Sequence, residues 1–160
     1  MAIWASDAGN DLLKPYAAHA ISLPVTFVVD PSESTMWSGL GEDAWKFETY
    51  AMTLNSHSWG VDPELFKTDA GLASFYRLTS VSYEPGNIPD NARPFGATME
   101  AYNYPFTGTQ FHPEKVLFMY GDNNGVNHSW ESITSNRYFA DKFVSMARQN
   151  TNSFGNFATS

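Results

Sequence analysis

Cysteine is absent from all 160 residues of this chain. That removes disulfides, thiolate metal sites and a cysteine nucleophile from this stretch of polypeptide at once. Charge is sparse as well: only 16% of residues are charged, nine basic against 17 acidic, for a net charge of −8 and a pI near 4.7. Nucleic-acid binding draws its affinity from clustered cations, and the basic residues here are scattered, so no nucleic-acid partner is expected. No segment approaches the roughly 20 consecutive apolar residues that span a bilayer. The start, Met1-Ala2-Ile3-Trp4-Ala5-Ser6-Asp7, shows neither the basic nor the apolar region of an export signal. These absences lead to the expectation of a soluble chain without a membrane partner, and the acidic balance is read chiefly as solubility.

What the chain has in quantity is rings. Aromatic residues make up 16% and apolar residues 42% of a length that suits one domain. Such a domain buries about 68–70% of its unfolded surface. The rings must go into a core, an interface or a cleft. Trp37, Trp45, Trp59 and Trp130 fall in or near loop-like stretches, where a sugar-stacking surface is weighed against a core or flap role and the second is preferred.

The order of elements follows from pattern and punctuation. Asp11 to Ala20 is a mixed segment, and Ile21 to Val29, rich in β-branched residues and closed by Asp30-Pro31, predicts a strand. Pro31 to Gly41 reads as a loop, a surface flap holding Trp37. Tyr50 to Leu54 is a short apolar run that Asn55 to Gly60 interrupts, and Asp62-Pro63 predicts a helix start of one or two turns. Strands are predicted over Leu78 to Tyr83, Phe95 to Tyr102 and Thr107 to Phe111, the last two as a hairpin. After a Gly/Asn-rich loop, a long helix is predicted over about Ser132 to Gln149. Phe139, Phe143 and Met146 set its helical spacing, and Ala140, Val144 and Ala147 repeat it one residue on, as one broad apolar face. The domain is taken as residues 1–150, with a flexible polar tail over 151–160.

Chemistry concentrates at Phe111-His112-Pro113-Glu114-Lys115, a histidine and a carboxylate two residues apart at a strand end. Glu114 can hold His112 in one tautomer while His112 accepts a proton from a nucleophile, the base-and-orienter part of a triad. Open α/β sheets place active sites at such carboxyl ends. Four histidines with Glu114 raise the question of zinc, yet no His-x₃-His or similar spacing occurs, so neither metal nor cofactor is expected. Asn127-His128-Ser129 fits a glycosylation acceptor pattern, relevant only in an exported protein.

These residues carry a resemblance. Tyr104-Pro105-Phe106-Thr107-Gly108-Thr109-Gln110-Phe111-His112-Pro113-Glu114-Lys115 resembles the signature of the gamma-glutamyl hydrolases, cysteine omega-peptidases related to class I glutamine amidotransferases. Three more stretches agree in order. Met52-Thr53-Leu54-Asn55 with His57 and Gly60 is the first, and Thr98-Met99-Glu100-Ala101-Tyr102 the second. Asn127-His128-Ser129 with the helix ending Phe143-Val144-Ser145-Met146-Ala147-Arg148 is the third, and together they cover about Asn10 to Asn150.

The resemblance implies an α/β fold, a partial class I glutamine amidotransferase-like (flavodoxin-like) sandwich with a mixed sheet and a long C-terminal helix. The family's nucleophile is a Cys on a Gly-x-Cys-x-Gly elbow, and neither that elbow nor a serine substitute occurs here, so the likeness is to a carboxyl-terminal half. On this likeness His112 is the catalytic base, Glu114 the third triad member, His57 a substrate-positioning residue and His128 structural. The family follows the His-Pro-Glu-Lys run with a stretch ending in Glu-Trp, whereas here Phe118 is followed by Met119-Tyr120, so the local substrate wall differs.

Two expectations follow. One is the hydrolytic half of a gamma-glutamyl peptidase, inactive by itself, acting on gamma-glutamyl substrates such as folate poly-gamma-glutamates once a nucleophile half is supplied. The other is a noncatalytic remnant serving as a binding or structural subunit. In both, a sheet lacking its first strands exposes an edge, so a protein partner or self-association is expected to cover it. The family's usual compartments are secreted, lysosomal or vacuolar.

Overall fold

The structure is a computed structural model that describes residues 1–85 and 92–153. Among the described residues, six strands and six helices follow one another along the chain, with 3₁₀ turns in its first third. The first strand, β1 (Leu13–Leu23), pairs antiparallel with β3 (Thr53–Val61), from Leu13 opposite Val61 to Leu23 opposite Thr53. A second sheet has the order β2-β4-β5-β6, from β2 (Thr26–Phe27), β4 (Tyr76–Tyr83), β5 (Pro94–Ala101) and β6 (Thr107–Thr109). Every pairing among the described residues is antiparallel, and β6 closes one edge of its sheet.

The helices are α1 (Ala2–Ala5), α2 (Lys46–Thr49), α3 (Leu65–Thr68), α4 (Ala70–Phe75), α5 (Lys115–Phe118) and α6 (Trp130–Arg148). The chain is thus mixed α/β with a long C-terminal helix, an arrangement compatible with a partial flavodoxin-like fold. The elements expected over 78–83, 95–102 and 107–111 all form, within two residues at each end. Their connection at Pro85-Gly86-Asn87 runs into 86–91, outside the described residues, and so does 154–160 of the expected tail.

Three expectations need correction. The early strand runs over Leu13–Leu23 rather than Ile21 to Val29, because the full length of β3 pairs with it despite Pro15. Pro15 is tolerated where the register shifts between Pro15 and Ala18, and a second shift, between Ala18 and Ile21, contains Ala20 at φ 46°. The polar stretch Asn55 to Gly60 does not break a strand but lies inside β3. Ser56, Ser58 and Trp59 are exposed there, while Thr53, Leu54 and Val61 are buried. Cross-strand pairing overrides the turn-like composition.

The third correction is Trp37, which is no flap. Residues Pro31–Glu33 and Ser38–Trp45 form 3₁₀ turns that turn the indole inward until it is fully buried. Its ring meets Phe27, Phe47 and Phe139 edge-on at centroid distances of 4.9, 5.0 and 5.1 Å. Its N–H donates to Thr98 Oγ1 at 3.2 Å, so the polar atom is satisfied inside the core. Nearby, Glu100 lies buried on β5. It accepts from Ser34 Oγ (2.9 Å), the Met36 amide (3.2 Å) and the Arg77 guanidinium, and so clamps the 31–37 segment against the sheet.

Helix α6 begins at Trp130, where Ser129 Oγ accepts from the Ser132 amide at 3.1 Å as N-cap. Its expected apolar face is only partly used. Phe139 is buried in the Trp37 cluster, but Phe143 is 72% exposed and Val144 and Ala140 are exposed too. Met146, on the second half of that face, is only partly buried.

Candidate active site

His112 stands three residues beyond the end of β6, and its position is fixed from both sides. Before it, Gln110 donates its amide to the Ala97 carbonyl (2.8 Å), and Phe111 is buried against Phe139 with centroids 5.5 Å apart. The His112 amide itself donates to the Leu54 carbonyl on β3 at 2.8 Å, tying the two sheets together at this point. After it, Pro113 and Glu114 lead into the single turn of α5.

The two residues singled out by sequence are in direct contact. His112 Nδ1 lies 2.9 Å from Glu114 Oε1. A carboxylate at Nδ1 accepts the proton there, which leaves Nε2 as the basic nitrogen. Nε2 makes no hydrogen bond to any described residue, and the His112 side chain is partly exposed. The imidazole is therefore oriented, reachable and without a described nucleophile beside it.

His57 sits on β3, one strand from His112. Asn55, fully buried, donates its amide to the Thr53 carbonyl (2.9 Å), which turns Asn55 Oδ1 toward His57 Nε2 at 3.1 Å. The contact with Asn55 Oδ1 makes Nε2 the protonated nitrogen; Nδ1 is buried and has no hydrogen bond of ordinary geometry among the described residues. The ring packs edge-on against Phe95 at 4.9 Å. Burial pushes the His57 pKa below the usual histidine value against the opposing pull of the Trp59 backbone, and the nearby His112 and His19 add to the lowering. His57 lies close enough to His112 for their charges to interact.

Two neighbours were not assigned a role from sequence. Asn55 was noted only as part of a motif, although it fixes the His57 tautomer. His19, on the register-shifted part of β1, reaches Ser58 Oγ at 3.0 Å; only the β1–β3 pairing places it near His57. His128 is elsewhere, stacked face to face on Tyr120 with centroids 4.4 Å apart. Among the described residues no group of three or more His, Cys, Asp or Glu side chains is placed to hold a metal ion, and no helix is long and apolar enough to cross a membrane.

The fold and this site define an α/β chain carrying an oriented histidine–glutamate pair of the kind that serves a thiol or hydroxyl nucleophile. By sequence comparison, the chain is similar over most of its length to proteins named gamma-glutamyl hydrolase. It is 27% identical over 150 residues to gamma-glutamyl hydrolase of Rattus norvegicus, covering 93% of this chain and 45% of that protein. It is 26% identical over 148 residues to the Homo sapiens gamma-glutamyl hydrolase, covering 92% and 45%. Gamma-glutamyl hydrolase 1 of Arabidopsis thaliana is 31% identical over 107 residues, 67% of this chain and 29% of that protein. No family model matches the chain. The chain spans somewhat less than half the length of the rat and human relatives.

Proposed function

We propose that this chain contributes the base of a gamma-glutamyl hydrolase, with the nucleophilic cysteine contributed by the portion of the domain that the aligned stretch does not cover. The observation that carries the reading is the 2.9 Å contact of His112 Nδ1 with Glu114 Oε1, on a chain related to hydrolases of that name. His112 Nε2 takes the thiol proton as the thiolate attacks the carbonyl carbon of a gamma-glutamyl amide. The resulting imidazolium, stabilised by Glu114, passes that proton to the leaving amine as the tetrahedral intermediate collapses to a thioester. Water, deprotonated by the same nitrogen, then hydrolyses the thioester and releases the gamma-glutamyl carboxylate and the thiol.

His57 is assigned a positioning role. Its ring lies near His112, Nδ1 is buried without a hydrogen bond of ordinary geometry among the described residues, and burial favours the neutral form. Poly-gamma-glutamates, including those of folates, are the substrate class. With no cysteine in its 160 residues, the chain by itself has no thiol to activate and is assigned no hydrolysis of its own.

The test is co-expression with the remaining portion of the rat enzyme, followed by chromatography of products from a poly-gamma-glutamate. The pair should hydrolyse the substrate. His112→Ala should lower turnover by roughly 10³-fold or more, and Glu114→Gln by roughly tenfold to 10⁴-fold, as triad members generally do. A correctly assembled pair without hydrolysis, or one indifferent to His112→Ala, overturns the reading in favour of a noncatalytic subunit.

A further inference from the structure

The loop between α5 and α6 carries Asn124-Gly125, the one Asn-Gly step in the sequence. Its conformation is fixed by its neighbours. Asn123 and Gly125 both have positive φ, 58° and 70°, and the Gly125 backbone lies close against β1: a Cβ there would stand 1.7 Å from the Ala20 carbonyl oxygen. Glycine is thus required after Asn124 on conformation and on space. The Ser22 hydroxyl donates to the Gly125 carbonyl at 2.7 Å and accepts from the Asn127 amide at 3.1 Å, while Asn127 Nδ2 donates to the Ala51 carbonyl at 2.9 Å. Residues 119–127 therefore form a strap fastened to β1 and to the segment just before β3. Inside the strap the Asn124 side chain is engaged at both ends. Its Nδ2 donates to the Met119 carbonyl at 3.0 Å, and its Oδ1 accepts from the Val126 amide at 3.0 Å.

We infer that Asn124 is a site of spontaneous deamidation and that its conversion unfastens the strap. The Gly125 nitrogen gives its proton to solvent and attacks Asn124 Cγ. The new N–Cγ bond closes a succinimide ring, the Cγ–Nδ2 bond breaks, and the amide nitrogen leaves as ammonia with a proton taken from solvent. Water then opens the ring at either carbonyl, giving aspartate or isoaspartate, with no change of oxidation state. Two features favour this step here. The attacking nitrogen belongs to an exposed glycine, with no side chain to shield it, and its N–H makes no hydrogen bond among the described residues. The Val126 amide already sits on Oδ1, where negative charge develops as nitrogen adds to Cγ. Asn55 and Asn136, by contrast, are buried and held by hydrogen bonds, and no other asparagine precedes glycine.

The product cannot hold the loop as asparagine does. A carboxylate only accepts, so aspartate loses the bond to the Met119 carbonyl and sets oxygen against oxygen there. Isoaspartate routes the backbone through the side-chain carbon, which lengthens it beside a glycine that has no room to move toward Ala20.

The experiment ages the purified chain in mildly alkaline and mildly acidic buffer, maps its peptides by mass spectrometry, and follows hydrogen exchange over residues 119–127. Conversion at Asn124 should outrun that at every other asparagine at least tenfold and yield both aspartate and isoaspartate. It should be faster in alkaline buffer, because the attacking nitrogen must lose its proton. Exchange over 119–127 should quicken in step with the converted fraction, while residues 53–57 of β3 keep their rate. Asn124→Asp should show the faster exchange when fresh, and Asn124→Gln should resist ageing. Circular dichroism checks that both variants fold; should either fail, fresh and aged wild-type chain decide. Conversion led by another asparagine, or no faster at Asn124 than elsewhere, overturns the inference. So does conversion at Asn124 that leaves exchange over 119–127 unchanged, or that loosens β3 equally, since the strap would then not be what the modification releases.

Discussion

The two halves of α6 present one continuous helical face but meet different surroundings. In the first half, Ser132, Ser135, Asn136 and Phe139 are buried, and three of the four are polar. In the second half, Phe143 and Val144 are exposed although they are more apolar than the residues that went inside. Burial on this helix is thus decided by what lies opposite it. The first half faces the Trp37 cluster and the Met52 carbonyl, to which Asn136 Nδ2 donates at 3.0 Å. The second half faces a groove. A sequence period reports a face that is meant to be covered, and the structure shows only one end of it covered within this chain.

The sharpest way to break this contrast is to truncate the two phenylalanines that sit one helical turn apart. Phe139→Ala should cost about 3–5 kcal/mol, since the ring touches Trp37, Phe47 and Phe111 edge-on and its loss leaves a cavity. Phe143→Ala should change stability by no more than about 0.5 kcal/mol, as substitutions of exposed residues usually do. Urea denaturation of both variants gives the comparison directly. Equal costs would mean that the second half of the helix is already packed against something in solution.

Polar burial at the closed end supplies the next test. Asn136 Nδ2 donates to the Met52 and Ser132 carbonyls, and Asn136→Ala leaves the Met52 carbonyl without that partner, at about 1–3 kcal/mol. The N-cap is worth less: Ser129→Ala should cost about 1 kcal/mol, because one of the orphan amides of the first turn loses its acceptor. Both are read from shifts of the denaturation midpoint. A larger cost for the cap than for Asn136 would place the weight of the helix in its own first turn rather than in its contact with Met52.

Much of this was legible in the residues. The hairpin from 95 to 109 followed from alternation and from the Asn-Tyr-Pro punctuation, and the α6 period was strong enough to place the helix within two residues. The His112–Glu114 pair was legible because two residues of separation and a proline fix its geometry locally. What composition hid was non-local. Asn55 to Gly60 reads as a turn until β1 pairs along it, and Trp37 reads as a loop residue until Thr98 supplies a partner for its N–H. His57 could be named from sequence, but its contact with Asn55 Oδ1 depends on Asn55 and Thr53 being buried together.

Acid supplies the mildest perturbation and acts on the closed part of the molecule. His57 has a pKa below its ordinary value chiefly because burial penalises the cation. In the unfolded chain it takes a proton near its usual pKa of 6.5, while in the folded chain it stays neutral to lower pH. The unfolded state therefore binds more protons in that window, and stability falls as pH drops through and below 6.5. A second loss follows at lower pH. Asp69 has its pKa lowered to about 2 by the hydrogen bond from Ser6 and by the amides of Leu72, Asp7 and Ala8. Its contribution is complete above the unfolded value near 3.8 and disappears as pH falls from there through about 2. The expected record is a midpoint of urea denaturation that declines gently below pH 6.5 and again below pH 4. His57→Gln should flatten the first step alone and Asp69→Ala the second. Because Asp69 holds residues 6–8 to the start of α4, proteolytic nicking before residue 9 should accompany the second step and not the first. A first step that persists in His57→Gln would assign it to another group and take away the case for a buried His57 that resists protonation beside His112.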